Sequence, residues 1–196
     1  MNLSKSSYTK THRKFMHLKE IEAFAKILCS KDKEDPWLFE HVQLVRKYAV
    51  ELAKIENADV EVCEIAALLH DIGKCKGREN HHITGRNLAG KFLESMDIPE
   101  EKKKLILKCI LKHRSRFSSE DDEIEVKVIQ SAPCLGALFN ERWQEHCRTT
   151  LPKEKLLEFY TVDALKRISL ESARKIARPQ LEILKEKLRI GSENKN

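Results

Sequence analysis

No stretch of this 196-residue chain approaches the roughly 18 to 20 apolar residues that span a bilayer, and the N-terminus has no apolar core of a secretory signal. A membrane protein is therefore not expected, and a cytoplasmic location follows by default. The six cysteines (Cys29, Cys63, Cys75, Cys109, Cys134 and Cys147) include no CxxC pair, and several lie in apolar helical runs, the pattern of reduced intracellular thiols. Aromatic residues are only 6% of the chain and no recognition helix is apparent, so a nucleic-acid-binding helical protein ranks last among the possible functions. Acidic residues are missing from positions 1–19, which hold Lys5, Lys10, Arg13, Lys14 and Lys19 and read as a basic, flexible arm. No segment has a convincing strand period and there is no internal repeat, so the fold is expected to be all-α.

What is present describes one soluble domain. Charged residues make up 35% and hydrophobic ones 41%, and Lys plus Arg (37) exceed Asp plus Glu (31), giving a formal net charge of +6. That mild excess suits an anionic partner without separating nucleic acid from small nucleotides. The domain is placed at residues 20–190, with a motif-bearing core over 37–140 and a disordered tail at 191–196. Helices are expected over Glu20–Leu28 and Trp37–Ile55, then up to His70, from His81 to Met96, and after Pro99. Pro133, inside the apolar pattern of Glu125–Leu138, is expected to kink that helix or to start a new one with Ser131 as N-cap. Leu156–Leu170 and Ala173–Leu188 read as closing helices, broken or restarted at Pro179. Tyr160 and these apolar helices can support a homodimer.

The chain is organised around Ala66–Lys74, AALLHDIGK. Val62, Ile65, Ala66, Leu68, Leu69 and Ile72 leave this helix hardly any polar face, so His70 and Asp71 need partners in the interior. Helical register supplies them. His41 lies four residues before Val45 on an inward stripe, and His113 continues the row of Ile106 and Ile110. His81 or His82 opens a further helix beside them. Imidazoles and a carboxylate converging in a dry core suit one or two divalent transition metals (Fe, Mn, Co or Zn) rather than a metal that prefers thiolate. Asp71 has two oxygens with which to bridge a metal pair, and such a pair can activate a water and clamp a phosphate. Lys74 and Arg78, with Arg86 and Arg114 as weaker candidates, can bind phosphate oxygens.

His41, then LLHDIGK at 68–74, HHITG at 81–85 and KHR at 112–114 resemble the HD-domain superfamily of metal-dependent phosphohydrolases. The resemblance implies an all-α helical bundle acting on a phosphorylated small molecule or nucleotide. Asp71 and Lys74 are then the catalytic candidates, and His41, His70 and Asp71 are implied metal ligands. His81 or His82, with His113, would hold a second metal, and Lys74 would lie near the phosphate, beside the candidates Arg78 and Arg114 already named from their charge. One departure stands out: where members carry a final Asp in a stretch like ILQDADRLDALG, this chain reads VIQSAPCLGAL, which places Pro133 at the ligand position. Asp121, Asp122, Glu125 and Asp163 are conceivable substitutes, Glu125 being more readily structural. A non-catalytic HD domain that binds a nucleotide or partner is therefore the alternative to an active phosphohydrolase.

Overall fold

The computed structural model describes residues 4–193, and the side chains of residues 16–190. Among the described residues the regular structure is entirely helical, and no helix is long and apolar enough to cross a membrane. The centre is a pair of helices packed along their length, α2 (Leu38–Ile55) and α6 (Ile124–Leu138). The next helix, α3 (Val60–Leu69), lies against α2 and is covered on its other side by α5 (Glu100–Lys112). A 3-10 turn over Ile72–Lys76 carries the chain from α3 into α4 (His81–Leu93), which packs back on that turn and on α5. The N-terminal helix α1 (Ser4–Cys29) closes the side formed by α3 and the 3-10 turn.

Local chemistry sets the turns. Asn57 takes a left-handed conformation (φ 57°) after α2, and the Asp59 carboxylate caps α3 by accepting from the amides of Glu61 and Val62. Glu125 is structural: its carboxylate accepts the Asp59 amide at 2.8 Å and ties α6 to this turn.

Several boundaries differ from the expectation. The helix expected from Glu20 begins at Ser4, because residues 4–19 contain neither proline nor glycine to stop it. Positions 1–3 of the basic arm, and 194–196 of the tail, lie outside the described residues; α10 (Glu171–Glu193) runs to the tail's third residue. Pro133 does not restart its helix, and α6 passes through it from Ile124 to Leu138. A helix-interior proline costs about 3 kcal/mol. Burying Val126, Val128, Ile129, Leu135 and Leu138, all fully enclosed, returns roughly 1.5–3 kcal/mol each and outweighs it. Ser131 is consequently no N-cap. Its hydroxyl donates to the Lys127 carbonyl and accepts from the amides of Ser169 and Leu170, fastening the start of α10. Pro179 likewise sits inside an unbroken α10. Between α6 and α10 run α7 (Glu141–Thr150), which the apolar pattern did not announce, then α8 (Lys153–Glu158), a π-helical turn at Phe159–Asp163 and the short α9 (Ala164–Lys166).

Candidate functional site

Two glycines bring the motif segments into contact. A Cβ at Gly73 would stand 2.0 Å from the His81 carbonyl oxygen and 2.5 Å from the Gly85 amide nitrogen. The 3-10 turn therefore lies directly on the first turn of α4, and Asp71 and His81 become neighbours. A Cβ at Gly136 would lie 2.7 Å from a Val45 methyl and 3.3 Å from His41 Cε1, so its absence lets α6 touch α2 beside His41.

Asp71 is the hub. Its Oδ2 lies 2.6 Å from Lys74 Nζ, 3.2 Å from His70 Nε2 and 3.9 Å from His41 Nε2. Its Oδ1 lies 3.3 Å from His81 Nε2 and 3.8 Å from His113 Nε2. The ligand-capable atoms fall into two groups that share Asp71, one with His41 and His70 and the other with His81 and His113.

Backbone carbonyls fix the tautomers. The Nδ1 atoms of His70, His81 and His113 stand 2.7, 2.6 and 2.7 Å from the carbonyls of Ala67, Arg78 and Ile110. A carbonyl only accepts, so each Nδ1 carries a proton and each Nε2 is the ring atom turned toward Asp71. Burial, reinforced by His70, pushes His113 down to about 3 against the opposing pull of Asp71, and burial likewise takes His41 to about 3. These two rings are neutral. Burial alone would raise the Asp71 carboxyl, but the His70 ring and the Lys74 ammonium beside it hold it well below the usual carboxylate range. Two consequences fit a metal. The buried His70 Nε2 has no hydrogen-bond partner, and the Nε2 atoms of His81 and His113 face each other at 3.0 Å. That distance is close to the separation of two neighbouring nitrogens each about 2.1 Å from a shared ion.

The other expected residues divide. His82 belongs to neither group; its ring rests on Phe117 at 5.0 Å, and burial, then His81, lowers its pKa. Adjacent helical positions point about 100° apart, so although both leading histidines of α4 are buried, only His81 reaches Asp71. Arg78 is occupied elsewhere, paired with Asp32 at 3.0 Å and Glu34 at 2.8 Å, and Arg86 is exposed away from the cavity. None of the possible substitutes for the final Asp joins either group: Asp122 is taken up by Lys112, Gln130 and the Ser119 amide.

The cluster opens into a cavity of about 500 Å³ lined by His41, His70, Asp71, Lys74, His81, His113 and Arg114. Pro133 also lines it, without a donor atom. Its remaining wall includes Arg116, Trp143, Phe159 and Arg167, which no motif or periodicity in the sequence singled out. Its basic side chains are Lys74, Arg114, Arg116 and Arg167, against one carboxylate, Asp71.

An all-α bundle gathering His, His-Asp, His and His about one carboxylate defines an HD domain, and the comparisons agree. The HD-domain family model matches residues 38–137. The chain belongs to the HD-domain family, a phosphohydrolase-type family that binds divalent metals. Among solved structures it is similar to a predicted HD superfamily hydrolase from an uncultured Thermotogales bacterium, with 24% identity and a TM-score of 0.70 over 92% of this chain and 94% of that one. It is also similar to Bacillus subtilis YpgQ in complex with ADP, with 21% identity and a TM-score of 0.70 over 93% and 96%. The Lin1889 protein from Listeria innocua is more distant in shape, with 21% identity and a TM-score of 0.55 over 88% and 94%. No curated protein matches the sequence.

Proposed function

We propose that this protein is a metal-dependent phosphohydrolase acting on a phosphoester or nucleotide, with its cation held by Asp71 Oδ1, His81 and His113. The observation that carries this reading is the 3.0 Å approach of the His81 and His113 Nε2 atoms beside a buried, ionised carboxylate. Two imidazole nitrogens that close, both within 3.8 Å of one carboxylate oxygen, are joined by a shared proton or by a cation, and a divalent cation satisfies both rings and Asp71 Oδ1 at once. The group on the Oδ2 side is the weaker one, because Pro133 brings no donor and Lys74 already neutralises that oxygen at 2.6 Å.

A divalent cation held there supplies Lewis-acid polarisation of a phosphoryl oxygen and a water of lowered pKa. The chain's own residues do the rest. Asp71 Oδ2, on the side of Lys74, accepts from and orients the attacking water. Lys74, Arg114 and Arg116 donate charge-assisted hydrogen bonds to the phosphate and stabilise the charge that grows on it. Cys134, although it lines the cavity, is no nucleophile: burial pushes its thiol up to about 12, and its Sγ is directed at the Ala164 carbonyl at 3.5 Å. The ADP held by YpgQ, a protein of the same fold, supports a nucleotide as the substrate.

The test is elemental analysis of untagged protein purified without chelator, set beside Asp71→Asn, followed by a phosphoester and nucleotide screen with added Mn. One equivalent of Fe, Mn, Co or Zn, lost in Asp71→Asn, together with turnover that also disappears in the variant, is the expected result. A folded protein that takes up no metal on reconstitution refutes the reading. The donor-less Pro133 favours a second reading, a nucleotide-binding HD domain without turnover, whose signature is metal and nucleotide binding with no hydrolysis of any substrate.

A further inference from the structure

The part of the cavity wall that lies beyond residue 137, where the family match ends, is built for something other than phosphate. Trp143 of α7 and Phe159 of the π-helical turn stand with ring centroids 6.0 Å apart at 61°. The Arg167 guanidinium carbon lies 5.1 Å from the Phe159 ring. Both rings pack on the core and remain partly exposed, and both line the same cavity as Asp71. Core packing accounts for the rings but not for Arg167, an exposed cation laid over an aromatic face. Among the described residues Arg114, Arg116 and Arg167 have no carboxylate partner, so three guanidinium charges line one cavity unbalanced. A phosphate monoester of charge about −1.5 to −2 neutralises only part of that.

We infer that the site takes a nucleoside di- or triphosphate, its base lying against Trp143, Phe159 and Arg167 and its phosphates on Arg114, Arg116 and Lys74. Two partly exposed rings and a guanidinium plane form a surface on which a flat heterocycle stacks whatever its hydrogen-bonding edge. The C-terminal helices thereby select the substrate, while the helices of the matched domain hold the reacting phosphate. This inference rests on the phosphohydrolase reading above and assigns the ring-binding half of the same site.

The chain has two tryptophans, Trp37 and Trp143, and only Trp143 lines the cavity. In a Trp37→Phe background its fluorescence therefore reports on the wall. The metal-loaded protein is titrated with β,γ-methylene analogues of ATP, GTP, CTP and UTP, and with inorganic tripolyphosphate as a ringless probe. At least one nucleotide should quench Trp143 and bind about five-fold or more tightly than tripolyphosphate, the low end of base–aromatic stacking. Arg167→Ala removes an exposed side chain and does not threaten the fold; it should weaken the nucleotide by a clearly larger factor than tripolyphosphate, which loses one charge of the cavity but no stacking surface. Metal uptake with tripolyphosphate binding as tightly as all four nucleotides, or equal weakening of both ligand types by Arg167→Ala, overturns the ring-binding wall and leaves the phosphohydrolase reading standing. A protein that binds neither metal nor tripolyphosphate removes both.

Discussion

Gly73→Ala is the most direct test of how the site is assembled. The new methyl would sit 2.0 Å from the His81 carbonyl oxygen and 2.5 Å from the Gly85 nitrogen, and both are backbone atoms that no rotamer change can move aside. Opening the first contact to roughly 3.3 Å, an ordinary close C···O distance, requires the 3-10 turn and α4 to part by more than about 1 Å. Overpacking typically costs about 1–3 kcal/mol, and obstruction by backbone puts this case at the upper end. For a chain of this size, where each kcal/mol moves Tm by about 2–4 °C, the melting temperature should fall by roughly 6–12 °C. The damage should also be functional, because Asp71 and His81 ride on the two parted segments and their 3.3 Å contact must widen. The assay is thermal unfolding with metal content measured on the same samples, and Gly90→Ala is the control. A Cβ at Gly90 meets nothing closer than a Leu107 methyl at 3.7 Å, so that variant should gain about 0.5–1 kcal/mol from helix propensity. Gly73→Ala that melts within a degree or two of the parent with undiminished metal would refute the packing argument.

Three further outcomes follow from the same coordinates. His113→Ala should lower metal affinity by at least about 100-fold, more than loss of a supporting hydrogen bond does, whereas His82→Ala should keep its metal because His82 stands outside both groups; titration with Mn or Zn against a competing chelator decides it. Burial works against the charge of Asp122, but Lys112, the Ser119 amide and Gln130 hold its carboxyl below the usual range. Its stabilising effect is therefore complete above the unfolded carboxylate value of about 3.9 and is lost as pH falls through the lower folded value, so Asp122→Asn should flatten acid unfolding below about pH 4 and reduce stability at neutral pH. Pro133→Asp puts a carboxylate on the cavity wall and should raise metal content from one equivalent towards two; a stoichiometry that stays at one would mean that residue 133 does not face the ligand position.

Much of this arrangement was legible because helical register carries it. The stripe through Val45 and Tyr48 gives α2 its inward side, and the row of Ile106 and Ile110 does the same for α5, so register alone sets His41 and His113 facing His70. The choice between His81 and His82 was not legible: it depends on how α4 seats against Gly73, a contact between backbones that leaves no periodic trace. Arg78 read as a phosphate ligand because its charge is visible in the sequence, whereas its partner Asp32 lies 46 positions away. Pro133 read as a break because local propensity argues for one, and only the burial of α6 shows that tertiary packing prevails. Trp143, Phe159 and Arg167 escaped notice because a wall assembled from α7, a π-helical turn and the residue after α9 has no common spacing.

The two oxygens of Asp71 have unequal surroundings, and the proposed metal site rests on that difference. On the Oδ2 side the chain has no carboxylate to offer from α6, and an ammonium group stands 2.6 Å from the oxygen. A cation bound there would meet both a missing donor and a resident positive charge. On the Oδ1 side nothing has been lost: His81 and His113 each have Nδ1 committed to a backbone carbonyl and Nε2 turned to Oδ1. Replacing the final Asp by Pro133 therefore shifts the balance between two half-sites rather than abolishing both. Lys74 gains from the shift, since a cationic side chain already at Oδ2 does not have to be displaced by a second metal before it can meet an incoming phosphate. Under the phosphohydrolase proposed above, the site would therefore hold a single metal, and Lys74 would take over part of the charge stabilisation.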